Sequence, residues 1–188
     1  MQPNKIKAHH GKALLIVDMI NSFDFPDGKK LVSYALPAAK KIQALKKKAM
    51  EKGVPIIYVN DNFGLWRSNW QQVYDHCAAP ESLGREICSL LKPSEKDYFI
   101  LKPRHSAFYN TNLPTLLDEL GTKELIITGA AGNICVLFTV NDAYMQDYKV
   151  HVPSDCIASN TSTENNFALK QMKNIMKVKV SSSKYLVF

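Results

Sequence analysis

Thr128-Gly129-Ala130-Ala131-Gly132-Asn133-Ile134-Cys135-Val136 is the stretch whose reading decides the fold. Before it, Glu124-Leu125-Ile126-Ile127 is a continuous apolar run of strand length; after it, Val136, Val140, Ala143 and Tyr144 recur at the three- and four-residue spacing of one helix face. Small residues turn the chain between the two, and Cys135 arrives at the start of the helix. A thiol there lies near unpaired backbone N–H groups and the positive end of a helix dipole, which favour the thiolate and suit an oxyanion. Cysteine is also among the residues most often buried simply for packing, so this segment alone leaves both readings open.

Working outward, the strand-then-helix unit repeats. Residues 12–17, 54–59, 97–101, 149–152 and 178–180 read as further strands, and the continuous hydrophobicity of 12–17 suits burial on both faces of a parallel sheet. Helical spacing marks a lysine-bearing segment ending near Gly53, then about 81–91, 113–120 and 163–176. The rest of 71–97 reads as irregular. The predicted architecture is α/β: a single-domain, three-layer, doubly wound fold over residues 1–188, with a mostly parallel sheet of about six strands and a polar N-terminal segment at 1–10.

At 188 residues the chain is long enough to bury a full core. It contains no apolar run of membrane-spanning length, and its polar start lacks the features of a signal peptide, so a cytoplasmic location and no membrane partner are expected. Its four cysteines are scattered, with no C-x-x-C and no Cys/His pairing of zinc-ligand spacing apart from the adjacent His76-Cys77, and reduced thiols are the default. The formal charge of +7 concentrates in Lys40 to Lys52, opposite the apolar stripe Leu36, Ala39, Ile42, Leu45 and Ala49. That pattern describes a solvated helix face, and no nucleic-acid partner is expected. Neither G-x-G-x-x-G nor a P-loop motif occurs, so no cofactor is implied.

Asp18, Lys102 and Cys135 each end or closely follow a strand candidate, and a parallel sheet brings such ends to one edge, where open α/β sheets bind ligands. A thiol beside an ammonium is expected to have a depressed pKa, and a carboxylate within reach can take its proton and return it to a leaving amine. His105, three residues past Lys102, is an alternative base. A separate alternative is a small-molecule-binding or scaffold protein that keeps the fold without catalysis. By their positions at strand exits, Phe23, Asn60, Trp66 and Phe108 are the candidate substrate-binding residues; Asp155, at another strand end, reads as a tie between loops.

Three blocks in order, Leu14-Leu15-Ile16-Val17-Asp18-Met19-Ile20-Asn21-Ser22-Phe23, Lys102 with Ser106-Ala107-Phe108, and the Cys135 stretch, resemble the isochorismatase-like cysteine hydrolases, which include nicotinamidases and N-carbamoylsarcosine amidases. Ala143, Tyr148-Lys149-Val150 and Asp155 extend the resemblance over nearly the whole chain. It implies Cys135 as nucleophile, Asp18 as general acid/base and Lys102 as the group holding Asp18. It further implies a cis peptide at Ala130-Ala131, an oxyanion hole from the N–H groups of Ala131 and Cys135, and a homo-oligomer, dimer or tetramer. The expected activity is hydrolysis of a C–N bond in a small amide or ureide through a Cys135 thioester. The chain departs from the family at Ile20, where many members have Gln, and at Gly132, where many have Thr. Nicotinamidase-like members carry an Asp-x-His metal motif where this chain reads Asp61-Asn62-Phe63, so no metal is expected and nicotinamide is disfavoured. Cys135 argues against isochorismate hydrolysis, whose enzymes lack it.

Overall fold

The computed structural model describes residues 11–188; the polar segment 1–10, with His9 and His10, lies outside them. The apolar runs form parallel strands β1 (Lys12–Val17), β2 (Ile56–Asp61), β3 (Tyr98–Lys102), β4 (Glu124–Ala130), β5 (Lys149–Pro153), β6 (Ile157–Ala158) and β7 (Lys179–Ser181). The sheet runs β3-β2-β1-β4-β5-β7, and the two-residue β6 pairs with the far end of β4. Every pairing is parallel, as continuous hydrophobicity predicts.

The helices are α1 (Gly28–Glu51), α2 (Trp70–Cys77), α3 (Arg85–Leu90), α4 (Leu113–Glu119), α5 (Leu137–Met145) and α6 (Ser162–Asn174). Alternate residues of β1 supply the two cores. Leu14 and Ile16 pack with the apolar faces of α1, α2 and α3, whereas Ala13, Leu15 and Val17 pack with those of α4, α5 and α6. The result is the expected three-layer, doubly wound arrangement, with one short strand more than predicted.

Two local departures have physical causes. Helix α2 occupies part of the stretch predicted irregular, and its start is held by a reciprocal pair of bonds: Gln72 N–H donates to the Asn69 side chain, and Asn69 N–H to that of Gln72. The other departure is Lys46, which is buried rather than solvated like the rest of its run. Its ammonium lies 2.6 Å from Asp97 and donates to the Tyr58 hydroxyl and the Lys92 carbonyl. One lysine of the basic helix therefore pins α1 to the approach to β3.

Candidate active site

Four strands deliver the site. Chain order in the sheet places β1 between β2 and β4, so the residues ending or following these strands meet at one edge. Asp18 follows β1 with φ of 50°, a left-handed conformation that aspartate tolerates better than most residues. Its Oδ1 accepts the Asp61 N–H at 2.7 Å, which ties it to the end of β2. Lys102 ends β3, fully buried, with its ammonium 2.7 Å from Asp18 Oδ2, 3.8 Å from Asp61 Oδ2 and 3.7 Å from Cys135 Sγ, and it donates to the Arg104 carbonyl.

Gly129 makes this convergence possible. It adopts φ of 126°, and a Cβ there would stand 2.0 Å from the Val17 carbonyl oxygen, so a side chain would force β4 away from β1 just below Asp18. Beyond it the Ala130–Ala131 peptide is cis. Residues Gly132–Val136 then make a single wide π-helical turn before α5 begins. Within that turn the Ala131 carbonyl accepts the N–H groups of Ile134 and Val136, bypassing the Cys135 N–H between them. The Ala131 N–H has no acceptor among the described residues.

The block Ser106-Ala107-Phe108 fastens the loop after β3 onto the helix that follows Cys135. Ser106 Oγ donates to Asp142, Ala107 N–H donates to Thr139 Oγ1, and Thr139 Oγ1 in turn donates to the Cys135 carbonyl. The motif thus positions the turn that carries Cys135.

Electrostatically the site reverses one expectation. The Cys135 thiol pKa is raised, not depressed: burial comes first, the adjacent Asp18 carboxylate adds to it, and the Lys102 ammonium only partly opposes them. Burial also raises Asp18 above the ordinary carboxylate range despite Lys102 beside it. For Lys102, burial pulls down, but Asp18, Cys135 and Asp61 together outweigh it and the ammonium is held. In this setting Cys135 rests as a thiol beside a carboxylate of enhanced basicity.

Asp18, Asp61, His105, Ala131 and Cys135 face a cavity of about 460 Å³, a size suited to a small organic molecule. Its apolar walls come from Phe25, Pro26, Leu31, Phe63 and Ile134, with Asn21 and Asn160 as polar contacts. His105 Nδ1 is 3.8 Å from Sγ, and the exposed ring leans on Phe138.

None of the four substrate-binding candidates lines this cavity. Phe23 is fully buried under the loop, held there because the Asn21 side chain accepts its N–H and the ring rests on Phe25. Asn60 points the other way along β2, donating to the Ile20 carbonyl. Phe108 packs on Tyr148 in the core, and Trp66, 77% exposed, lines a separate depression with Leu65 and Arg67. Neighbours that the sequence reading passed over take their places: Phe25 two residues from Phe23, and Phe63 three from Trp66. Asp61 carried a usable signal, since it ends its strand as Lys102 does. For the aromatic loops no spacing rule distinguishes the inward ring from the outward one.

A metal does not fit here. Among the described residues no three His, Cys, Asp or Glu side chains converge to hold one. Beside Asp61 the chain offers Asn62, whose Oδ1 is engaged by the Gly64 N–H, and the apolar ring of Phe63.

The sequence pattern of the Isochorismatase domain matches residues 12–184. The chain belongs to the isochorismatase family. Within it, an uncharacterized isochorismatase family protein of Bacillus subtilis is 46% identical over 176 residues, 94% of this chain and 96% of that relative. A ureidoacrylate amidohydrolase of Serratia proteamaculans is 27% identical over 161 residues, 72% of this chain and 65% of its own length. Among solved isochorismatase-like structures, a nicotinamidase from Staphylococcus aureus superposes with a TM-score of 0.69 at 26% identity, covering 90% of this chain and 96% of that one.

Proposed function

We propose that the protein is a hydrolase of small amides or ureides that cleaves a C–N bond through a thioester on Cys135. The observation that carries this reading is one buried arrangement: the Cys135 thiol, the Asp18 carboxylate and the Lys102 ammonium in mutual contact beside a cavity that is also lined by Ala131, whose N–H has no acceptor among the described residues. The similarity to a ureidoacrylate amidohydrolase and a nicotinamidase, both enzymes of C–N bond hydrolysis by name, supports it.

In the proposed sequence, substrate binding displaces water from the cavity and places its carbonyl carbon against Sγ. Asp18 takes the thiol proton as Sγ forms its bond to that carbon, and the carbonyl oxygen gains charge facing the N–H groups of Ala131 and Cys135. Collapse of this adduct breaks the C–N bond while Asp18 delivers its proton to the departing nitrogen, leaving the thioester. Asp18 then takes a proton from water, whose oxygen attacks the thioester carbonyl. The released thiolate recovers that proton, and a carboxylic or carbamic acid leaves. Lys102 keeps Asp18 oriented throughout and never gives up its proton.

The raised Asp18 pKa suits a group that must both accept and return a proton. Replacing Cys135 by Ala is expected to reduce ammonia release from a panel of primary amides and ureides by on the order of 10⁴-fold or more, with thermal unfolding unchanged. Undiminished release by that variant would end the hydrolase reading.

A further inference from the structure

The catalytic cavity holds more negative charge than positive. Two carboxylates, Asp18 and Asp61, face it, and the cation at its floor is Lys102. Lys102 is already matched by Asp18 at 2.7 Å, and Asp61 stands farther off at 3.8 Å with its side chain 34% exposed. One oxygen of Asp61 accepts the Phe63 N–H, which fixes the carboxyl group in the wall. Among the described residues that line the cavity there is neither Lys nor Arg. Arg67 lines the separate depression beside Trp66, and Arg104 turns its carbonyl, not its guanidinium, toward Lys102.

One cation shared between two carboxylates leaves one negative charge in excess, and Asp61, the more distant and more exposed partner, presents it to the void. A ligand carboxylate placed there would meet a like charge in surroundings that screen it less than water does. A protonated amine would complete an ion pair, with the ring of Phe63 beside it. Because the neighbouring side chains do not complete a metal site, Asp61 is available for an organic cation.

We infer that Asp61 is a specificity-determining residue that selects small amides or ureides bearing a protonated amine, or several N–H donors, at the end remote from the scissile carbonyl, and turns away those bearing a carboxylate there. This rests on the hydrolase reading for its substrate, but its test does not need turnover. The full-length protein is treated at low ionic strength with 2-aminoethyl methanethiosulfonate, which is cationic, and 2-sulfonatoethyl methanethiosulfonate, which is anionic. Modification of Cys135 is timed by peptide mass spectrometry, and each rate is divided by that of N-acetylcysteine amide.

The cation-to-anion rate ratio at Cys135 is expected to exceed that of the free thiol by about tenfold or more, a preference of the size that charged clefts produce. Asp61→Asn should bring the ratio down toward the free-thiol value, and Asp61→Glu should keep it. A wild-type ratio no higher than that of the free thiol overturns the inference without any variant, and so does a ratio unchanged in Asp61→Asn. If Asp61 served only to support Lys102, its replacement would change both rates together and leave the ratio alone. Failure of the hydrolase reading shows separately, as turnover that survives loss of Cys135.

Discussion

A lysine with no exposed surface and a carboxylate 2.7 Å away cannot activate a thiol as a free ammonium does. Reading Lys102 and Cys135 as neighbours at strand ends was enough to place them together, but not to weigh three coupled charges and the loss of water around them. The sequence reading credits Lys102 with lowering the thiol; the structure shows burial and Asp18 outweighing it. On the proposed reading this balance favours Asp18 as the base. Asp18→Asn is expected to lower turnover by about 10²–10⁴-fold, whereas His105→Ala, removing an exposed ring 3.8 Å from Sγ, should keep activity within about tenfold. Steady-state kinetics on both variants decide the matter, and equal losses would move the base to His105.

At the scale of elements, strands were legible because continuous apolar runs bounded by charges have few alternatives, and helix α1 because its stripe is long. Helix α2 was missed: eight residues carry little periodic signal, although the Asn69 and Gln72 pair announces its start. Close approach between strands is equally invisible to pattern. Gly129→Ala adds one methyl group, yet it must displace the Val17 carbonyl and part β4 from β1. A lowered thermal midpoint together with loss of Cys135 function is the expected outcome, and a variant with wild-type stability would contradict the close packing. Lys46 gives the other element-scale test, since Lys46→Met leaves the Asp97 carboxylate buried without its cation. A loss of about 3–5 kcal/mol in denaturant unfolding is expected, as for breaking one side of a buried pair. A change within experimental error would place Asp97 in water instead.

Over the whole molecule, the fold class followed from the order of strands and helices, while the cavity walls depended on long loops whose inward and outward rings alternate without rule. Closure of the far edge is also a tertiary matter. Asp155 accepts the Ser183 N–H and the hydroxyls of Ser182 and Ser183, binding the end of the chain to the exit of β5. Burial alone would raise its pKa, but these bonds outweigh that and hold it below the usual range. Burial keeps His151, on β5, below the usual histidine value. At these two groups the signs agree, since in acid the unfolded chain binds protons that the fold resists; Asp18, raised by burial, acts in the opposite sense. The His151 contribution to stability should therefore fall away below about pH 6.5 as unfolded histidine charges, and the Asp155 contribution below about pH 4. Thermal unfolding across that range checks it, with Asp155→Asn expected to flatten the lower phase; an equally steep lower phase in that variant would remove Asp155 from the account.

The coupling between Asp18 and Cys135 is the feature on which the proposed chemistry turns, and site-resolved alkylation of Cys135 by iodoacetamide from about pH 4 to about pH 9 measures it most directly. The wild-type rate should climb only at the alkaline end, later than for an ordinary thiol. In Asp18→Asn, with the neighbouring negative charge gone and Lys102 unopposed, the profile should shift to lower pH even though hydrolysis is lost. Profiles that coincide in the two proteins, or a wild-type thiol already ionised at neutral pH, would contradict the account.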